Sequence, residues 1–429
     1  MNYEIIDMLD EGYQEAIKVL KQNITPLGFS ATTERHVNYY SVWARDHSIT
    51  ALAALQTDDS ELIQTAKKGV LLLLQHQSEA GQIPTYIEIE NRKKVYGGLG
   101  TITSVDSNLW IAIIAAEIYH KTKDKRFISE KQMDRYKRIY RLIKAFDSNK
   151  CGLLEVHIAG DWADVFNRTY HVLYDECLHY QALKSLEYLF DKHIHLKKQT
   201  EKTIKRKKMQ KWISNRRKMI KPILNSTFIF TRDNIEKVKE KYMIYTDFGK
   251  VEYPYYQSHL TPFKNDWHQR FETFGNSLAM LTGVASAKRS KAIIEYVFRN
   301  KINLPVPIPV LYPPVFEHES DWEPIYSIKE QPFVYHNGGI WPMVTGFWIA
   351  SLTQNNKQKQ ARSELEAFAK ELQNQHWTFN EYLHGKTADP LGRNYQAWSA
   401  AGYVLAYNSV MEGKKPFHID KTLLEKKVS

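Results

Sequence analysis

The chain is poor in cysteine: Cys151 and Cys177 are the only two among 429 residues. Their separation fits neither a metal-ligand nor a redox pair, so a disulfide framework is excluded and a reducing compartment, the cytoplasm, is the expected setting. Long apolar runs are missing as well. Purely aliphatic stretches such as Val70 to Leu74 fall far short of the roughly 20 residues that cross a bilayer, so no membrane span is expected. The opening Met1-Asn-Tyr-Glu-Ile-Ile-Asp lacks the basic residues and apolar core of a secretory leader. No ligand-spaced His and Cys cluster occurs, and neither a metal nor any other cofactor is expected.

Aromatic residues are plentiful, with 26 Tyr, 18 Phe and 10 Trp. This exceeds the needs of a plain helical core and suits a carbohydrate pocket, because Trp and Tyr offer a flat apolar face with a polar edge. The net charge of +11 is uneven. Between Lys192 and Lys221 thirteen Lys or Arg face one acid, Glu201, so the basicity belongs to one segment and the remainder is nearly neutral. That segment reads as a solvated, partly helical insertion at about 192–221 rather than as a nucleic-acid site.

Helical periodicity recurs at about 11–23, 46–56, 59–77, 104–121, 127–146, 170–190, 200–220, 270–284, 286–299, 337–353, 356–375 and 393–410. Connections alternate between brief and long. Twelve helices so joined predict an all-α fold, an (α/α)6 toroid of six helical hairpins forming one domain over 1–429. Inner helices would be apolar nearly all round, as Trp110-Ile-Ala-Ile-Ile-Ala-Ala is, and outer ones amphipathic, as 356–375 is. The long connections at 222–269 and 300–335 are expected at the functional mouth. The first holds strand-like runs, Thr227-Phe-Ile-Phe and Tyr242-Met-Ile-Tyr, and the second is rich in proline.

Gly160-Asp161-Trp162-Ala163-Asp164-Val165-Phe166-Asn167-Arg168 sets two carboxylates beside an aromatic. Sugar chemistry asks for this, because a Trp face stacks on a sugar ring and burial lifts a carboxyl towards general-acid range. Alone, the stretch reads more simply as a surface turn with Asp capping the next helix. Glu381, between Phe379 and Tyr382, supplies a second carboxylate in an aromatic setting. Two carboxyls facing one glycosidic bond are the minimum for hydrolysing it. Further candidates lie near helix starts: Trp43, Arg45 and Asp46 in Trp43-Ala-Arg-Asp; Asp106 and Trp110 in Ser104-Val-Asp-Ser-Asn-Leu-Trp; His336 and Trp341 in His336-Asn-Gly-Gly-Ile-Trp; and Gln396 in Tyr395-Gln-Ala-Trp. Capping is the plainer role for Asp46 and Asp106.

Six stretches in order resemble the neutral/alkaline invertases of glycoside hydrolase family 100: Asn38-Tyr-Tyr-Ser-Val-Trp-Ala-Arg-Asp, Ser104-Val-Asp-Ser-Asn-Leu-Trp, Arg270-Phe-Glu-Thr-Phe-Gly-Asn, Tyr335-His-Asn-Gly-Gly-Ile-Trp-Pro, Asn380-Glu-Tyr-Leu-His-Gly-Lys and Tyr395-Gln-Ala-Trp-Ser-Ala-Ala-Gly-Tyr. More loosely, the chain is similar to the glucosidase domain of glycogen-debranching enzymes. The resemblance implies Asp164 as general acid and Glu381 as general base. It places Arg45, Asp46, Asp106, His336 and Trp341 around the sugar. Trp43, Trp110, Asp161, Trp162, Arg168, Tyr382 and Gln396 complete the expected binding set. After Asp164 the chain departs from the family, with Val165-Phe-Asn-Arg in place of an Arg pair, and Asn380 stands where the motif has proline.

The expectation is therefore an inverting glycoside hydrolase acting on a small α-linked glycoside, with sucrose the first candidate. A debranching-type α-glucosidase and a non-catalytic carbohydrate-binding toroid are the alternatives. Inversion requires the two carboxyls to stand roughly 6.5 to 9.5 Å apart. The expected partner is a small carbohydrate; an oligomer stays open.

Overall fold

Six helices are buried on nearly every side and stand in a ring. They are α2 (Ala44–Gln56), α4 (Asp106–Thr122), α6 (Leu173–His195), α9 (Thr273–Leu281), α12 (Pro342–Gln354) and α14 (Ala397–Glu412). In this computed structural model, which describes residues 3–35, 39–98, 100–197, 200–244, 252–263 and 270–420, each packs on the next and α14 closes against α2. All thirteen residues of α2 are buried, which explains why its sequence shows no polar face. An amphipathic helix precedes each inner one: α1 (Tyr3–Gln22), α3 (Ser60–Gln75), α5 (Glu130–Ala145), α7 (Glu201–Thr227), α10 (Ala287–Arg299) and α13 (Gln358–Asn374). In α13, Ala361, Leu365, Phe368, Ala369 and Leu372 are buried, the single stripe expected of an outer layer. Six outer–inner hairpins around a closed ring are the (α/α)6 toroid that the periodicity predicts.

Several boundaries differ from the sequence reading, those of α1 and α7 by the most. Helix α1 begins at Tyr3, not near residue 11, because Gly12 is no break: a Cβ there would lie 2.5 Å from the Tyr403 hydroxyl and 2.6 Å from Trp377. Helix α7 runs through Pro222 to Thr227. The basic stretch expected as an insertion is the end of α6 together with α7, an integral outer helix packed on α6. The run 227–230 forms no strand; Phe228, Ile229 and Phe230 are buried, and an apolar run of this length looks alike as strand or core plug. Tyr242 ends a short helix, α8 (Ile235–Tyr242). Asn38 and Tyr245, which belong to stretches quoted above, lie outside the described residues.

Strands are short and cluster at the N-terminal ends of the inner helices. The ladder β1 (Ser41–Trp43), β2 (Tyr86–Glu88) and β3 (Lys94–Val95) leads into α2. The pair β4 (His171–Val172) with β5 (His259–Leu260) leads into α6, and β6 (Phe271–Glu272) with β7 (Leu311–Tyr312) into α9. The pair β8 (Tyr382–Leu383) with β9 (Pro390–Leu391) precedes α14. Outer helices α3, α5, α7 and α10 are capped by Asp59, Ser129, Thr200 and Ser286. Inner helices α2, α4, α6, α12 and α14 have no side-chain cap. Their first N–H groups and the positive ends of their dipoles therefore converge on one end of the ring. Among the described residues no helix is long and apolar enough to cross a membrane.

Candidate active site

At that end lies a pocket of about 440 Å³, within the range of small-molecule sites. The strand before α2 and the helix's first turn contribute Trp43, Arg45 and Asp46; the 160–168 loop contributes Trp162 and Asp164. Trp341 comes from the start of α12, Glu381 from the turn before β8, and Gln396 and Trp398 from the start of α14. Register sets some of this geometry. Trp43 pairs with Tyr86 across β1 and β2, and their rings meet at 4.3 Å. Eight of the fourteen expected site residues thus border one cavity.

Glu381 is buried, and burial pushes its carboxyl up to about 7. The Arg393 N–H and the Tyr39 hydroxyl donate to it and hold it lower, while the charges of Asp46 and Asp164 raise it. The Arg393 N–H contact depends on Gly392, whose φ is +72° and whose Cβ, if present, would lie 2.6 Å from the Glu381 side chain. Only glycine lets this turn close over the acid. Asp164 is likewise raised by burial, and the charges of Arg45 and Lys329 draw it back. Burial also lifts Asp46 to about 6, with Arg45 opposing.

Five buried polar atoms on the walls have no hydrogen-bond partner: Asp164 Oδ1, Gln396 Oε1, Arg45 Nε, Trp162 Nε1 and Trp398 Nε1. Unpaired buried donors and acceptors are costly. Three donors and two acceptors between indole faces are what a sugar's hydroxyls and ring would satisfy. Among the described residues no group of three or more His, Cys, Asp or Glu side chains could hold a metal ion.

Six expected sugar contacts stand behind the pocket instead. Asp106 is fully buried and accepts from Arg45 at 2.9 Å, Ser104 at 2.6 Å and Tyr174 at 3.0 Å, so it aims the arginine. Trp110 is a core residue, donating to Tyr174 at 2.8 Å and packing on Phe347 and Phe417. Asp161 pairs with Arg168 at 2.8 Å, and Arg168 reaches Glu272 at 3.3 Å. Glu272 in turn caps α9 at the Gly275 N–H, which ties the 160–168 loop to that helix. His336 and Tyr382 both stack on Trp341, at 5.0 and 5.5 Å, and hold the indole that does face the cavity.

Tyr39, Tyr86, Lys329, Tyr335 and Trp398 also line the pocket and were not singled out from sequence. Tyr39, Tyr335 and Trp398 lie inside or beside quoted motifs, so a signal existed. Lys329 gave none. It arrives on α11 (Tyr326–Lys329), within the proline-rich connection. There Phe166 stacks on Tyr326 at 4.9 Å, and Asn167 donates to the Tyr326 hydroxyl at 2.9 Å and to Glu323 at 2.7 Å. The stretch that departs from the resembled family is therefore the one on which the Lys329 segment docks.

A family model described as alkaline and neutral invertase matches residues 11–413. "Probable alkaline/neutral invertase D" of Arabidopsis thaliana is 22% identical over 451 aligned residues, covering 94% of this chain and 80% of its own length. Cytosolic invertase 1 of Oryza sativa subsp. japonica is 27% identical over 186 residues, covering 42% of this chain. The match spans about a third of the length of the first curated relatives (32%). Among solved structures, the GH63 mannosylglycerate hydrolase from Thermus thermophilus aligns with a TM-score of 0.60 at 15% identity, over 92% of this chain and 99% of that one. A bacterial glucoamylase complexed with acarbose gives 0.64 at 14% identity, over 97% and 58%. These likenesses show a shared fold.

Proposed function

Because the chain belongs to the alkaline and neutral invertase family, we propose that it is an inverting glycoside hydrolase acting in the cytoplasm on a small α-linked glycoside, with sucrose the first candidate. One observation carries the reading. Asp164 and Glu381, distant in sequence, border the same Trp-walled pocket and are both raised by burial. Their buried neighbours Asp106, Asp161 and Glu272 are held in ion pairs with Arg45 and Arg168. Of the three acids that border the pocket, Asp46 is paired with Arg45 at 4.0 Å, which leaves Asp164 and Glu381 to exchange protons.

In this mechanism Asp164 protonates the glycosidic oxygen as the bond to the anomeric carbon breaks. Glu381 takes a proton from the water that attacks the opposite face, and the configuration inverts. The Trp walls hold the ring, and Arg45, fixed by Asp106, binds hydroxyls. Lys329 and its docking segment stand beside Asp164, on the leaving-group side, where selectivity for the second half of the substrate would be set.

A second reading exchanges the two roles. It is favoured by the cations near Asp164, which pull it down while Glu381 sits at about 7. Purified enzyme is first offered sucrose, isomaltose, trehalose, glucosylglycerate and a limit dextrin, and NMR records the anomer released. Asp164→Ala and Glu381→Ala are then compared on the cleaved sugar and on the matching glycosyl fluoride, whose leaving group needs no acid. Retained fluoride turnover in Asp164→Ala, with loss in Glu381→Ala, supports the assignment. The opposite pattern supports the exchange, and unchanged activity in both removes the catalytic pair.

A further inference from the structure

Helix α7 sorts its cations by type. Arg206 reaches inward to Asp134 at 2.6 Å, Arg216 to Asp147 at 2.8 Å and Arg217 to Glu187 at 2.7 Å. Lys202, Lys207, Lys208, Lys211 and Lys218 are exposed and have no ion pair among the described residues, while Lys205 is neutralised by Glu201. Between the lysines runs an apolar row: Ile204, Trp212 and Met219, exposed by 47%, 56% and 57%. Successive spacings of eight and seven residues put the three on one face, about two turns apart. Trp212 and Met219 also border a groove of about 460 Å³ shared with Tyr140, Lys144 and Lys150.

We propose that the outward face of α7 docks on an anionic phospholipid surface. Charge complementarity selects a polyanion, and the apolar row selects a bilayer among polyanions. A Trp flanked by lysines suits the boundary between headgroups and acyl chains, where the indole inserts and each ammonium stays with a phosphate. A nucleic acid or an acidic protein is gripped best by the bidentate guanidinium, and here three arginines are committed inward. The helix is capped by Thr200 and packed along α6, so the surface is preformed and binding orders nothing new. It lies on the outer wall of the toroid, away from the helix ends that form the pocket. The proposal does not depend on the catalytic reading.

The full chain is floated with vesicles of phosphatidylcholine alone or with about one third phosphatidylserine. Binding is expected only to the anionic vesicles, falling steeply from 0.1 to 0.5 M salt. Each lysine near the surface contributes about fivefold, so Lys208→Ser, Lys211→Ser and Lys218→Ser together reduce partitioning roughly a hundredfold. Trp212→Phe removes a share of the indole fluorescence that brominated lipid quenches. Circular dichroism of the variants keeps a folding failure distinct from lost docking. No binding to anionic vesicles, equal binding to neutral ones, undiminished binding by the triple variant, or salt-sensitive binding to RNA without binding to vesicles each overturns the proposal.

Discussion

The Tyr39 hydroxyl donates to both oxygens of Glu381, at 3.3 and 3.5 Å. This contact opposes the burial that lifts the carboxyl to about 7. In the proposed mechanism Glu381 is the general base, which works only when ionised, so activity is expected to rise with pH through that value. Removing the donor in Tyr39→Phe raises the Glu381 pKa further and moves the acid limb of kcat/KM to higher pH. The loss is roughly threefold to tenfold at pH 6 and small at pH 9. An acid limb that stays in place shows that the contact does not tune the base.

Burial of the same carboxyl sets a stability profile. Its folded pKa, about 7, lies above its ordinary 4.5. The stability it contributes is full below about 4.5 and is lost as pH rises through about 7. Glu381→Gln does not titrate, so it gains on the parent over this window, by up to about 3 kcal/mol. Urea midpoints at pH 5 and pH 8 measure this, and an equal difference at both values contradicts the burial argument.

Lys329 lowers the Asp164 pKa, as does Arg45. In Lys329→Met the carboxyl keeps its proton to higher pH, so the alkaline limb of kcat/KM moves up while the acid limb set by Glu381 moves little. Profiles on the natural glycoside carry the effect. On the glycosyl fluoride, which needs no acid, the alkaline limb should not respond. A downward shift on the natural glycoside would remove Asp164 from the donor role.

The ring of helices was legible because an inner helix such as α4 is apolar on all sides while α13 keeps one stripe, a contrast that periodicity reports directly. Asp164 and Glu381 stood out because each is an acid set among aromatics. What sequence could not resolve is which way a charge faces. Asp46 and Asp106 look alike at the starts of two helices, yet one borders the pocket and the other is closed off behind Arg45. Trp110 and Trp341 are both tryptophans near helix starts, but α4 turns Trp110 into the core. Lys329 reaches the pocket only through the docking of Tyr326 on Phe166, a contact between stretches remote in the chain.

Arg168 separates a bracing role from a sugar-binding one. Its guanidinium lies between Asp161 and Glu272 and over the rings of Trp162 and Tyr174 at 5.7 Å. Burial raises both carboxyls, and Arg168 draws them back, helped by the Ala163 N–H at Asp161 and the Gly275 N–H at Glu272. Arg168→Met leaves two buried acids without a counter-charge, a loss of about 3–5 kcal/mol. The 160–168 loop then loosens from α9, and kcat falls with Asp164 displaced. Replacing all three charges, as Asp161→Asn, Arg168→Met and Glu272→Gln, removes the unpaired acids and recovers much of the stability in a denaturation midpoint. A direct sugar contact predicts otherwise: Arg168→Met would raise KM with no change in midpoint, and the triple variant would recover nothing.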